Sequence, residues 1–295
     1  MEKNELKQKL KEIKKKVRKK SIISDEDLFF LIENESLGLF KKYIIYSNIS
    51  KDVQIKLIKE NNVKFFKAYF DAYHLSDEAQ IELIKQANIE LFKAYIASRR
   101  ICNIAEIELV KKANNINIYI EEYYLCSAAE MELIKLGDTE LFNAYIKKYH
   151  LSDKAEILLV KQGNTDLFEA YIKKYHLSDN AEVCLVEQNN IEHIKSYINE
   201  YYFCKEAQIE FIKLYNESHI KAYIAKYRLH DEAEIYFIKL GNLGLIKAYI
   251  EQYHLCFDAQ IELIKLENED SIKAYHMKYK FHPHDLDMID DNLLV

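Results

Sequence analysis

Apolar and polar positions alternate along this chain in blocks much longer than one helical turn. Between Asp153 and Leu177, one apolar run holds Ala155, Ile157, Leu159 and Val160. A second holds Leu167, Phe168, Tyr171, Ile172 and Tyr175, spaced i, i+1, i+4, i+5, i+8. That spacing draws one broad stripe down a helix. Asp153 with Glu156 has the N-cap and N3 spacing of a capping box, and Asp77/Gln80, Ser127/Glu130, Asp179/Glu182 and Asp231/Glu234 repeat it. The first helix is predicted to close near Gly163, in a column shared with Gly137, Gly241, Asn61 and Asn189. All of these tolerate the left-handed conformation that ends a helix. The next column is Asn62, Asn88, Asn114, Asn164, Asn190, Asn216, Asn242 and Asn268, with Asp138 and Ser36 in the other units. These are good N-caps, so a second helix is predicted to start there.

The two-helix unit recurs. Tyr43, Tyr69, Tyr95, Tyr119, Tyr145, Tyr171, Tyr197, Tyr223, Tyr249 and Tyr275 are 26 residues apart, except for a step of 24 between Tyr95 and Tyr119. Four residues later a second column holds Tyr73, Tyr123, Tyr149, Tyr175, Tyr201, Tyr227, Tyr253 and Tyr279. The residue before the anchor tyrosine is small in most units, as at Ala68, Ala144 and Ala248, which lets neighbouring helices approach closely. A lone pair of such short helices is marginal in water, and stacking on the next pair buries its stripe. The expected fold is all-α: a solenoid of about ten tandem 26-residue antiparallel helix pairs forming a superhelix over residues 23–281.

This arrangement resembles the α-solenoid class of HEAT, armadillo and tetratricopeptide repeats, by architecture alone. The unit is shorter than theirs, and no Trp-Leu-Gly or Thr-Pro-Leu-His signature occurs. The resemblance implies a binding scaffold more often than an enzyme.

Charge sets the two ends apart. Residues 1–20 carry ten Lys/Arg and three Glu, net +7, against −13 for the remainder. Leu6, Leu10, Ile13 and Val17 fall on one helical face, so residues 1–22 are expected to form a basic amphipathic helix that caps the first repeat. Residues 282–295, with Asp285, Asp287, Asp290 and Asp291, are expected to form an acidic tail or partial cap. Five Gly and one Pro exclude Gly-rich nucleotide loops and argue against an all-β fold. No run of 18 apolar residues occurs, which makes membrane partnership unlikely. Five cysteines, an odd number, suggest reduced thiols and a cytoplasmic location.

No nucleophile elbow, Walker loop, dinucleotide fingerprint or zinc motif is present, so a non-enzyme without cofactor or metal is expected. His282 and His284 with Asp285 have ligand chemistry for a metal, but two of these ligands fall in the expected tail, so no metal site is expected there. Candidate partner contacts come from three places. One column five residues after the anchor tyrosine holds His74, Arg100, His150, His176, Arg228 and His254. A lysine row on the second helices holds Lys67, Lys93, Lys195, Lys221 and Lys247. The third place is the irregular repeat, where Arg99, Arg100, Asn114, Asn115 and Asn117 are expected to form a notch. The leading expectation is a scaffold for a protein or peptide on an extended concave surface. The alternative is a nucleic-acid-binding repeat protein, using the lysine row, the His/Arg/Tyr column and the basic N-terminal helix.

Overall fold

A computed structural model describes residues 3–214 and 217–281. Asn216 and the acidic segment 282–295, with His282, His284 and Asp285, lie outside the described residues. The described residues form twenty-one α-helices and no strand. In order they are α1 (Lys3–Arg18), α2 (Asp25–Glu33), α3 (Leu37–Ile44), α4 (Lys51–Lys59), α5 (Val63–Phe70), α6 (Asp77–Gln86), α7 (Ile89–Ile96), α8 (Asn103–Lys112), α9 (Ile116–Glu122), α10 (Ser127–Leu136) and α11 (Thr139–Ile146). They continue with α12 (Asp153–Gln162), α13 (Thr165–Ile172), α14 (Asp179–Glu187), α15 (Ile191–Glu200), α16 (Lys205–Lys213), α17 (Glu217–Ile224), α18 (Asp231–Lys239), α19 (Leu243–Ile250), α20 (Phe257–Lys265) and α21 (Glu269–Tyr279). Among the described residues no helix is long and apolar enough to cross a membrane.

The chain divides into two compact units, Met1–Tyr149 and His150–Val295. Each is α-solenoid in construction. In the first, α2, α4, α6, α8 and α10 pack side by side as one layer, and α3, α5, α7, α9 and α11 form the other. In the second, α12, α14, α16, α18 and α20 make the closely packed layer. There α13 lies on α15, and α17, α19 and α21 pack in turn.

Local chemistry fixes both helix boundaries. Second helices start as their asparagines dictate: the Asn88, Asn164 and Asn242 side chains accept backbone amides of their first turns at 3.0–3.2 Å. First helices end in the left-handed conformation at Gly137 (φ 69°) and Gly163 (φ 69°), and Ala113 takes the same role at φ 53°. The capping-box expectation is corrected. The N-cap is Ser152, one residue before Asp153, and Ser50, Ser76 and Ser178 repeat it with Cys102, Cys126, Cys204 and Cys256. Glu156 therefore sits one position too deep to reach back to the cap, and it turns inward instead. At the short repeat Asn114 is not the cap. Asn115 (φ 60°) precedes α9 and makes no side-chain cap bond, so the two missing residues are absorbed in a left-handed pair of turns.

The anchor tyrosines are the largest buried side chains. An aromatic ring that buries ~150–250 Å² contributes about 4–6 kcal/mol at ~25 cal/mol/Å². Tyrosines of the second column lie half-buried against them, with ring centroids 5.3 Å apart for Tyr171/Tyr175 and 5.0 Å for Tyr249/Tyr253. At the chain start Ile13 and Val17 are buried, and Lys16 Nζ holds Asp27 at 2.7 Å, fastening α1 to α2. Leu6 and Leu10, on the same stripe, are only half-buried.

Candidate partner-binding surface

Inside each unit, neighbouring repeats are joined by one recurring polar group. Its centre is the column Gln54, Gln80, Glu106, Glu130, Glu156, Glu182, Gln208, Glu234 and Gln260, every member buried. The anchor hydroxyl donates to the carboxylate: Tyr119 to Glu106 at 2.6 Å, Tyr145 to Glu130 at 2.7 Å, Tyr171 to Glu156 at 2.6 Å and Tyr249 to Glu234 at 2.7 Å. The second oxygen accepts the backbone amide that opens the next repeat, as from Ser178 to Glu156 at 2.7 Å and from Cys126 to Glu106 at 2.5 Å. Where glutamine replaces glutamate the reach is the same. Gln208 accepts from His230 N at 2.8 Å and donates to Phe203 O at 2.9 Å. A buried carboxylate is tolerable only when several donors surround it. Burial holds Glu182 above the ordinary carboxylate range, and the hydrogen bonds from Cys204 and Tyr197 oppose that rise.

This group explains the His/Arg column. Arg100 Nε lies 2.8 Å from Glu106, and Arg228 Nε lies 3.8 Å from Glu234. His150 and His176 lie 3.5 and 3.1 Å from Glu156 and Glu182. Both arginines of the column sit beside a glutamate, and neither sits beside a glutamine. Burial works against the Arg100 charge, but its bonds to Glu106 and Tyr124 hold its pKa above the usual value. His74 is instead tied to Arg99 (2.7 Å), and His254 packs on the rings of Tyr275 and Tyr279. The polar ends of Arg100, His150, His176 and Arg228 thus turn toward the fold.

The proposed notch is spread out. Arg99 and Arg100 precede α8, whereas Asn114, Asn115 and Asn117 follow it, so that ten-residue helix of about 15 Å separates the two sets. Arg99 Nε donates to Phe70 O at 2.9 Å. In the lysine row, Lys67, Lys93, Lys195 and Lys221 are exposed, and Lys247 reaches Asp270 at 3.3 Å.

Two sets of potential metal ligands converge among the described residues: Asp179, Glu182 and Cys204, and Asp231, Glu234 and Cys256. In both, the glutamate already accepts from a tyrosine hydroxyl and a backbone amide. Burial pushes the Cys204 and Cys256 thiols up to about 12.

A groove across α12, α14 and α16 escaped sequence reading. It encloses about 680 Å³ over a floor of Ile157, Val183 and Ile209, with Cys184, Glu187 and Lys213 on its walls. On α10, α16 and α20 this face carries a Glu–Lys pair, Glu132–Lys135, Glu210–Lys213 and Glu262–Lys265. Leu158 and Cys184 replace the glutamate in α12 and α14, and Glu187 replaces the lysine in α14. The signal was present in the aligned repeat columns as a loss of surface charge. Compared with protein-family models, with curated proteins and with solved structures, the chain matches none of them.

Proposed function

We propose that this chain is a non-enzymatic repeat scaffold that binds a protein or peptide along its first-helix face, with the α12–α14–α16 groove as the principal contact. The observation that carries this reading is the half-buried apolar floor of Ile157, Val183 and Ile209 beside Cys184, rimmed by Lys161, Glu187, Glu206, Glu210 and Lys213. Charge is depleted and apolar area gained at the centre of protein interfaces, and repeat scaffolds bind with little backbone change. The His/Arg column then maintains the scaffold and the Lys row lies outside the contact. A reducing, cytoplasmic setting agrees with five cysteines that are all free thiols.

Crosslinking in the native extract compares the intact chain with Val183→Glu/Ile209→Glu and with Lys195→Glu/Lys221→Glu. The reading expects one partner band to vanish only in the groove variant, with the circular dichroism melt retained. Loss in the lysine variant alone, together with salt-steep binding of RNA or DNA, would replace it with the nucleic-acid reading.

A further inference from the structure

A second surface lies at the other unit's start. There α1 runs past the body it caps, and a cleft of about 640 Å³ opens between α1 and the start of α3. Leu10 and Leu37 line it and are half-buried, while Lys7, Lys11 and Lys14 from α1 and Lys42 from α3 rim it, with Glu35 as the one acidic residue of its lining. None of these four lysines forms an ion pair among the described residues, in contrast to Lys16, which is spent on Asp27. Ser36 makes no side-chain cap bond, in contrast to Asn88, and the Leu37 and Leu39 amides of this turn donate instead to the Glu35 and Ser36 carbonyls. The apolar floor and the mainly cationic rim together fit a segment carrying both leucines and carboxylates.

Such a segment exists in this chain. Residues 285–295 read Asp-Leu-Asp-Met-Ile-Asp-Asp-Asn-Leu-Leu-Val: four aspartates, six apolar residues and no basic residue. We propose that the cleft receives residues 285–295 of a second copy of this chain, giving a heterologous, head-to-tail association. The aspartates meet the lysine rim, and the leucines cover Leu10 and Leu37. Because the ion pairs lie at the rim, the association weakens with salt.

The test is sedimentation equilibrium of the full chain at low and high salt. Lys7→Glu/Lys11→Glu/Lys14→Glu and Asp287→Lys/Asp290→Lys/Asp291→Lys are each expected to weaken association roughly tenfold or more, the effect of a few exposed ion pairs turned repulsive. Their melting curves should match the parent's, and an equimolar mixture of the two should associate again, because each cleft then meets a complementary segment. The aspartate variant changes none of the described residues, and it carries the test where the lysine variant melts early. A parent chain that stays monomeric at low salt overturns the proposal. So does a variant that associates as the parent does, a mixture that stays monomeric, or crosslinks between cleft and segment only within one chain.

Discussion

Replacing Glu182 with Gln and with Ala separates the hydrogen bonds its carboxylate accepts from the charge it carries. Its oxygens accept the Tyr197 hydroxyl and the Cys204 amide, both at 2.5 Å. Alanine strands both donors in a buried site, at about 1–3 kcal/mol each, and opens a cavity besides. The expected cost is about 3–5 kcal/mol, on the order of 10 °C in melting temperature for a unit of this size. Glutamine keeps the geometry, because Gln208 already accepts from His230 and donates to Phe203 and the Tyr223 hydroxyl in the next repeat. Its effect should stay within about 1 kcal/mol, with a sign that depends on pH. Burial raises the Glu182 pKa, so the folded state binds this proton more tightly than the unfolded state. The stability it gives is full below the ordinary glutamate range, near 4.3, and is lost as pH rises through the folded value. Glu182→Gln should therefore gain on the parent as pH climbs from 4 to 7. Denaturant titrations across that range check it. An alanine variant no worse than glutamine, or a pH-independent gap between glutamine and parent, would refute the reasoning.

Three further outcomes follow from the same geometry. His193 and His219 occupy a buried column that holds Leu167 and Leu245 in neighbouring repeats, and burial lowers both pKa values. Stability should accordingly be full above the ordinary histidine value of about 6.5 and fall with acidification below it, while His193→Leu/His219→Leu flattens that fall in thermal melts at pH 5 and 7. Gly163 (φ +69°) has no neighbour within 4 Å of an added Cβ, so Gly163→Ala should cost only the left-handed penalty, about 1 kcal/mol by denaturant unfolding. Ala113→Gly, at φ 53°, should return part of that amount. Arg100→Glu faces the buried Glu106 with a like charge and should lower stability by about 2–3 kcal/mol, whereas Asn117→Glu at an exposed site stays within ±0.5 kcal/mol.

The helix pairs were legible because their boundaries are written locally. Asn164 caps the helix beside it and Gly163 ends the one before, and neither needs a distant partner to declare itself. Glu156 was misread for the opposite reason. Three residues from an acid, it carries the spacing of a capping box, but its partners are Tyr171, fifteen residues on, and Ser178, twenty-two residues on. Only the stacking of one repeat on the next brings those atoms together. The link between Arg100 and Glu106 spans only six residues, and it stayed hidden because Glu106 is turned inward from α8 while Arg100 lies in the loop before it. The groove over Val183 was within reach of the sequence, since Cys184 and Glu187 stand where α10, α16 and α20 carry glutamate and lysine.

The buried carboxylates also bear on how either unit would respond to force. Each one grips the loop of the following repeat across only 20 to 22 residues, so tension along the stack loads these grips in series. A grip that fails frees one repeat and leaves the next one sealed by its own glutamate or glutamine. Stretching a unit should then lengthen it in small equal increments, each of 26 residues or about 90 Å of extended chain. Because every contact that reforms is local, the chain should recoil in the same increments when the load is removed. Such a molecule behaves as a ratcheted spring that gives way one repeat at a time.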